Sequence, residues 1–201
     1  MQQTIKVGVH DWSRFANDQS FYPEDLPEEW RLSYFANEFA SACLRLTDTE
    51  DAEHLHELCE DLPQAFEVSF VIHNSSQLAT VIELVAEHGF TLGSLLLEAT
   101  ESDILLQIEQ RKSLLWGADY TGKGRYHQAD AIWTPQHAHR ISDLALLPQQ
   151  SDMRQYRFWI EQWLQQNVQP ESGELELWLE GAEASYKTLH ELRTLVEIMG
   201  Y

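Results

Sequence analysis

Short apolar runs alternate along the chain with longer stretches in which apolar residues recur every three or four positions. That alternation predicts strands, each followed by an amphipathic helix. Residues 5–9 (Ile-Lys-Val-Gly-Val) read as a first strand that ends at His10-Asp11-Trp12. Pro27-Glu28-Glu29 suits a helix start, since acidic side chains favour the positive end of a helix dipole. Trp30, Tyr34, Phe35 and Phe39 follow at helical spacing. Residues 42–46 predict a second strand, and Thr47-Asp48-Thr49 a cap for a helix with Leu55, Leu58, Cys59 and Leu62 inward. Residues 66–72 predict a third strand. Ser75 and Ser76 are expected to cap a helix that turns Leu78, Val81, Ile82 and Val85 to the core and ends at Gly89. Residues 92–97 predict a fourth strand. Thr100 and Asp103 open a short helix carrying Ile104, Leu105 and Ile108, and residues 113–117 predict a fifth strand.

The rhythm implies parallel strands with crossover helices. It then breaks. Residues 120–128 are polar and glycine-bearing, residues 131–133 make a stub of a strand, and residues 135–140 are too short for a crossover helix. Another short apolar run covers residues 144–147. Regularity returns with the stripe Tyr156, Trp159, Ile160, Trp163 and Leu164, a strand at 175–179, and a terminal helix at 184–199 carrying Leu189, Leu192, Val196 and Met199. The pattern allows up to eight strands. A (β/α)8 barrel typically takes roughly 250 residues, so 201 residues fit one only if helices are missing in the second half. The expected fold is therefore an α/β, shortened and irregular (β/α)8-type TIM barrel forming a single domain over residues 1–201. An open parallel sheet of five or six strands is the alternative.

The stretch Val7-Gly8-Val9-His10-Asp11-Trp12, followed by Phe21-Tyr22-Pro23 leading into a first helix, resembles the opening of the YecE-like family of TIM-barrel proteins, domain of unknown function 72. An aromatic at Phe39 before the second strand, Leu92-Gly93 before the fourth, and the helix, strand and helix from Tyr156 to Met199 extend the resemblance. It covers residues 4–98 and 152–200 and implies the barrel fold. The polar positions associated with the family are replaced here. A Glu-x-Asn pair on the second strand corresponds to Ala42-Cys43-Leu44-Arg45-Leu46, and a lysine on the third to Ser69. The polar motifs of its fifth and seventh strands fall near Leu115-Trp116-Gly117-Ala118 and Ala145-Leu146-Leu147-Pro148, and an Asn-Asn pair near Leu179-Glu180.

Charge narrows the partners. Thirteen basic against 33 acidic residues give a formal net charge of −20. Phosphate backbones and anionic membranes are bound through Lys and Arg, so neither nucleic acid nor a membrane is expected. Two cysteines, Cys43 and Cys59, both on apolar faces, read as buried free thiols rather than a disulfide framework. The N-terminus carries no signal pattern and no apolar run reaches about 20 residues, so the expected location is cytoplasmic. A protein partner or a second copy of the chain is compatible with this charge, and so is a small-molecule ligand.

In a barrel of this type chemistry gathers at the C-terminal ends of the strands. His10, Asp11, His73 and Glu98 fall there and supply imidazole and carboxylate groups suited to acid–base work or a divalent metal. Trp12, Tyr22, Arg45, Asn74 and Glu180 lie nearby as ligand-binding candidates, and Asp119 falls at a strand end too. His54-x-His56 points two imidazoles apart on a helix, and His56 with Cys59 offers only two ligands. Neither these nor His137-x-His139 has a zinc-type spacing, so no metal ligands are assigned and no cofactor is specified. Residues 122–125 (Gly-Lys-Gly-Arg) lack the spacing of a phosphate loop and read as a flexible turn. With the shared polar positions replaced, the expected function is a non-catalytic binding or scaffold protein. The alternative is a small-molecule or metal-dependent enzyme with its site at the barrel mouth.

Overall fold

The computed structural model describes residues 4–47, 52–98, 102–116, 126–150, 152–166, 174–180 and 185–201. Its strands are β1 (Thr4–His10), β2 (Ser41–Arg45), β3 (Glu67–Ile72), β4 (Thr91–Leu97), β5 (Tyr126–Gln128), β6 (Leu144–Leu147) and β7 (Glu174–Glu180). All pairings between neighbours are parallel, in the order β5-β4-β3-β2-β1-β7-β6. Helices α1 (Trp12–Phe15), α2 (Arg31–Ala36), α3 (Ala52–Cys59), α4 (Ser75–His88), α5 (Ser102–Trp116), α6 (Met153–Gln166) and α7 (Tyr186–Ile198) pack outside the sheet. The fold is TIM-barrel-like, with a curled sheet.

Between β5 and β6 the chain carries no crossover helix among the described residues. From β5 the chain needs only five residues to reach Trp133, which bridges Ala145 beside β6. Trp133 donates its backbone N–H to Leu144 and accepts from Leu146, so the predicted strand stub is real but one residue wide. A 3-10 turn (Pro135–His137), capped by the Thr134 hydroxyl, replaces the helix that would join Trp133 to β6.

Two elements differ from the sequence reading. Residues 113–116 end helix α5 rather than forming a fifth strand, and β5 lies instead in the stretch read as a polar loop. The cause is an untidy stripe: Leu106 and Leu114 point to solvent, 59% and 63% exposed, while Ile104, Ile108 and Leu115 are buried. A helix with apolar residues on both faces loses its 3.6-residue signal. The α4 cap is Asn74, whose side chain accepts from the Gln77 N–H at 3.0 Å, not Ser75 or Ser76. Gly89 ends α4 in the left-handed conformation, φ 66°, as expected. The proposed caps at 47–49 and 100–103, Asp119 and the 122–125 turn fall wholly or partly outside the described residues.

The strands separate two cores. Ile5, Val7, Val9, Leu44, Phe70, Leu95 and Leu177 face the helices. The inner face holds a smaller cluster made of Cys43 (β2), Val71 (β3), Leu96 (β4), Leu144 (β6) and Trp178 (β7), with Ile132 from the bridging segment. Trp178 stands in register with Gly8, the residue that β1 presents at that level. A Cβ on Gly8 would lie 2.5 Å from the Ser41 carbonyl oxygen, so only glycine lets β1 and β2 approach this closely. The apolar layer plugs the barrel. Below it, Lys6 pairs with buried Glu67 at 2.7 Å, and Ser94 donates to Glu176 at 2.7 Å.

Candidate functional site at the barrel mouth

Above the apolar plug the strand ends carry polar groups. Alternation along β1 turns His10 inward with Lys6 and Gly8. Its ring stacks on Trp178, 6.0 Å between centroids, so the plug is also the floor of the site. His10 is 8% exposed and its Nε2 has no hydrogen-bond partner among the described residues. Burial, helped by the Arg45 charge, lowers its pKa to about 4, so the ring is neutral at pH 7.

Asp11 follows with φ 59°, the left-handed region that Asp tolerates better than most residues. The turn sends its buried carboxylate back across the mouth. One oxygen accepts from the Ser13 hydroxyl at 2.6 Å. The other meets Arg14 Nε at 2.9 Å and Arg45 Nε at 3.7 Å.

Arg45, last residue of β2, is the hub. Its two terminal nitrogens grip Glu98 at 2.6 and 2.8 Å, a bidentate fork. That fork holds the Glu98 carboxyl below the usual carboxylate range. His73 Nε2 lies 3.7 Å from the same carboxylate. The loop beneath His73 is tied down by Gln77, which accepts from the His73 N–H at 2.6 Å and donates to the Leu46 carbonyl at 3.4 Å.

Asp11, Arg45, His73 and Glu98 thus form one contiguous cluster, with His10 set below it. Glu180 stands opposite His10 in the β1–β7 register and is exposed. Other candidates lie elsewhere. Asn74 is committed to capping α4. Trp12, 2% exposed, belongs to the outer core. Tyr22 packs on Phe21 and Phe15 and lines a separate cavity of about 270 Å³ with Asp18, Glu24 and Arg31. The sequence reading did not find Arg14, whose partner is set by the turn at Asp11. It also passed over the half-buried Lys6 and the buried Glu67 and Glu176. Glu176 was visible in the Leu-Glu alternation of β7, unusual for a parallel strand covered on both faces.

The cysteines are buried free thiols, as the sequence reading expects. Burial pushes both pKa values up, Cys59 to about 12, which leaves neither thiol nucleophilic at neutral pH. Among the described residues, no helix is long and apolar enough to cross a membrane.

A curled parallel sheet with polar groups gathered at its C-terminal edge defines the TIM-barrel-like class. No protein-family model and no curated protein matches the sequence. Among solved structures, the chain is similar to a DUF72 family protein from Thermotoga maritima, with a TM-score of 0.60 and 11% identity over 96% of this chain and 99% of that one. At that identity the likeness establishes the fold.

Proposed function

We propose that the chain is a divergent, shortened YecE-like protein and that it binds a partner or ligand without converting it. The barrel fold shared with a DUF72 protein and the Gly8-to-Trp12 and Phe21-to-Pro23 motifs support the family. The observation that carries the function is the pairing at the mouth. Each carboxylate of the cluster is engaged: Asp11 by Arg14 and Arg45, Glu98 by the Arg45 fork. The Arg45 fork keeps Glu98 ionised and unavailable as a proton donor. A general base also needs a free lone pair facing the substrate. Below the cluster the barrel is filled rather than hollow. The site is expected to be cytoplasmic and to avoid nucleic acid and membranes, in keeping with the acidic charge.

A second reading has one observation in its favour. His10 is neutral, and its Nε2 is buried without a partner among the described residues, which are the properties of an imidazole base awaiting a substrate. Thermal unfolding against a panel of phosphates, sugars, nucleotides and carboxylic acids separates the two. Wild type and His10→Gln would be run side by side. Binding without conversion predicts either no response or one that survives His10→Gln. A ligand that raises Tm in wild type alone, and is then found chemically changed, would establish the enzyme reading.

A further inference from the structure

Away from the barrel mouth, helices α3 and α4 bring three metal-type ligands together. His56 Nδ1 lies 3.0 Å from His88 Nε2 and 3.2 Å from a Glu87 carboxylate oxygen. All three donor atoms fall within 4.8 Å of one another. The sequence reading compared His56 with His54 and Cys59 on its own helix. The partners that matter sit on the neighbouring helix.

The geometry points to a divalent transition-metal site, with zinc the natural occupant: His56, Glu87 and His88 supply three ligands, and solvent the fourth. Zinc bonds of 2.0–2.1 Å in a tetrahedron set neighbouring ligand atoms about 3.3 Å apart. Both short separations are close to that edge length. The proton inventory agrees. A neutral imidazole has one N–H and one lone pair. If His56 Nδ1 carries the proton, it faces two acceptors and can serve only one well. If it is the acceptor, its lone pair faces the Glu87 carboxylate. A cation between them satisfies all three lone pairs at once. His56 is 29% and Glu87 64% exposed at the side chain, so the fourth position is open to water and the metal can enter. Two imidazoles with one carboxylate favour zinc and its neighbours over magnesium or calcium, which take oxygen ligands. A metal here would staple α3 to α4.

The test is a Zn²⁺ titration of the full chain by calorimetry, after chelator treatment, with His56→Gln, Glu87→Gln, His88→Gln and His54→Gln beside it. One Zn²⁺ per chain is expected. Even an outer-shell partner is worth 10–100-fold in affinity, so losing His56, Glu87 or His88 should weaken binding by about tenfold or more, and His54→Gln should not. Co²⁺ should give the visible bands of a tetrahedral site, and Mg²⁺ should not compete. All four residues lie on helix surfaces, so folding of the variants is checked simply by circular dichroism. The inference is overturned if wild type takes up no zinc, or if His56→Gln and His88→Gln bind it as tightly as wild type does.

Discussion

His10 gives the sharpest quantitative prediction. Its folded pKa is about 4, against an unfolded value of 6.5. A group whose basic form is favoured by folding stabilises the protein above its unfolded pKa, and that stability is lost as the pH falls toward the folded pKa. In the window from pH 6.5 to 4 the unfolded chain holds a proton on residue 10 that the folded chain refuses. At about 1.4 kcal/mol per pKa unit, the shift corresponds to roughly 3 kcal/mol lost across the window. His127, whose pKa burial also lowers to about 4, titrates over the same range, so the absolute pH curve is a sum. The comparison with His10→Gln cancels that contribution. Glu98 cancels too, and as a carboxyl with a depressed pKa its loss begins only below its unfolded value of 4.5. The assay is urea unfolding of both proteins at steps between pH 7 and 4. Wild type should lose about 3 kcal/mol more than His10→Gln over that range. Parallel curves would mean that His10 is not buried neutral on Trp178, and the description of the mouth would be wrong.

Other substitutions probe the scaffold beneath. Gly8→Ala places a methyl 2.4–2.5 Å from Ser41 side-chain and backbone atoms and should cost about 2 kcal/mol or more, seen as a Tm lower by about 4–8 °C. Gly89→Ala meets nothing within 4 Å and should cost only about 1 kcal/mol from its positive φ. Gly93→Ala collides with the Ser69 hydroxyl at 2.4 Å, while that hydroxyl accepts from the Ser94 N–H. The double variant with Ser69→Ala should therefore be little worse than Ser69→Ala alone, and additive losses in denaturant unfolding would contradict this. A thiol reagent should leave Cys43 and Cys59 untouched in the native protein and label both in denaturant.

How far the sequence led depends on where tertiary context enters. Strands β1 to β4, β6 and β7 were legible because each is a compact apolar run flanked by turn residues. β5 was not, because Tyr126-His127-Gln128 carries no apolar pattern and is strand only by pairing with residues 95–97. At the mouth, His10, Asp11, His73 and Glu98 could be placed at strand ends from the sequence, since barrel topology alone brings strand ends together. Their partnerships were not legible. Arg45 lies 53 positions from Glu98, and only the three-dimensional register makes it a hub. Trp12 packs in the outer core and Tyr22 lines a separate cavity, because proximity in sequence to His10 says nothing about which face of the sheet a side chain takes. His56 illustrates the same limit, as its partners lie on the next helix.

The central claim is that the charged groups at the mouth are committed to one another, and a double-mutant cycle on Arg45→Met and Glu98→Gln, read by denaturant unfolding at pH 7, tests it most directly. Both side chains are about a quarter exposed, so each single change should cost about 1–3 kcal/mol, between the values for surface and buried pairs. Arg45→Met should be the worse because it also releases Asp11. The double variant should cost clearly less than the sum of the two. A catalytic constellation held under electrostatic strain behaves in the opposite way, since relieving it stabilises the fold. Single variants as stable as wild type, or more stable, would contradict the account and return the mouth to the enzyme reading.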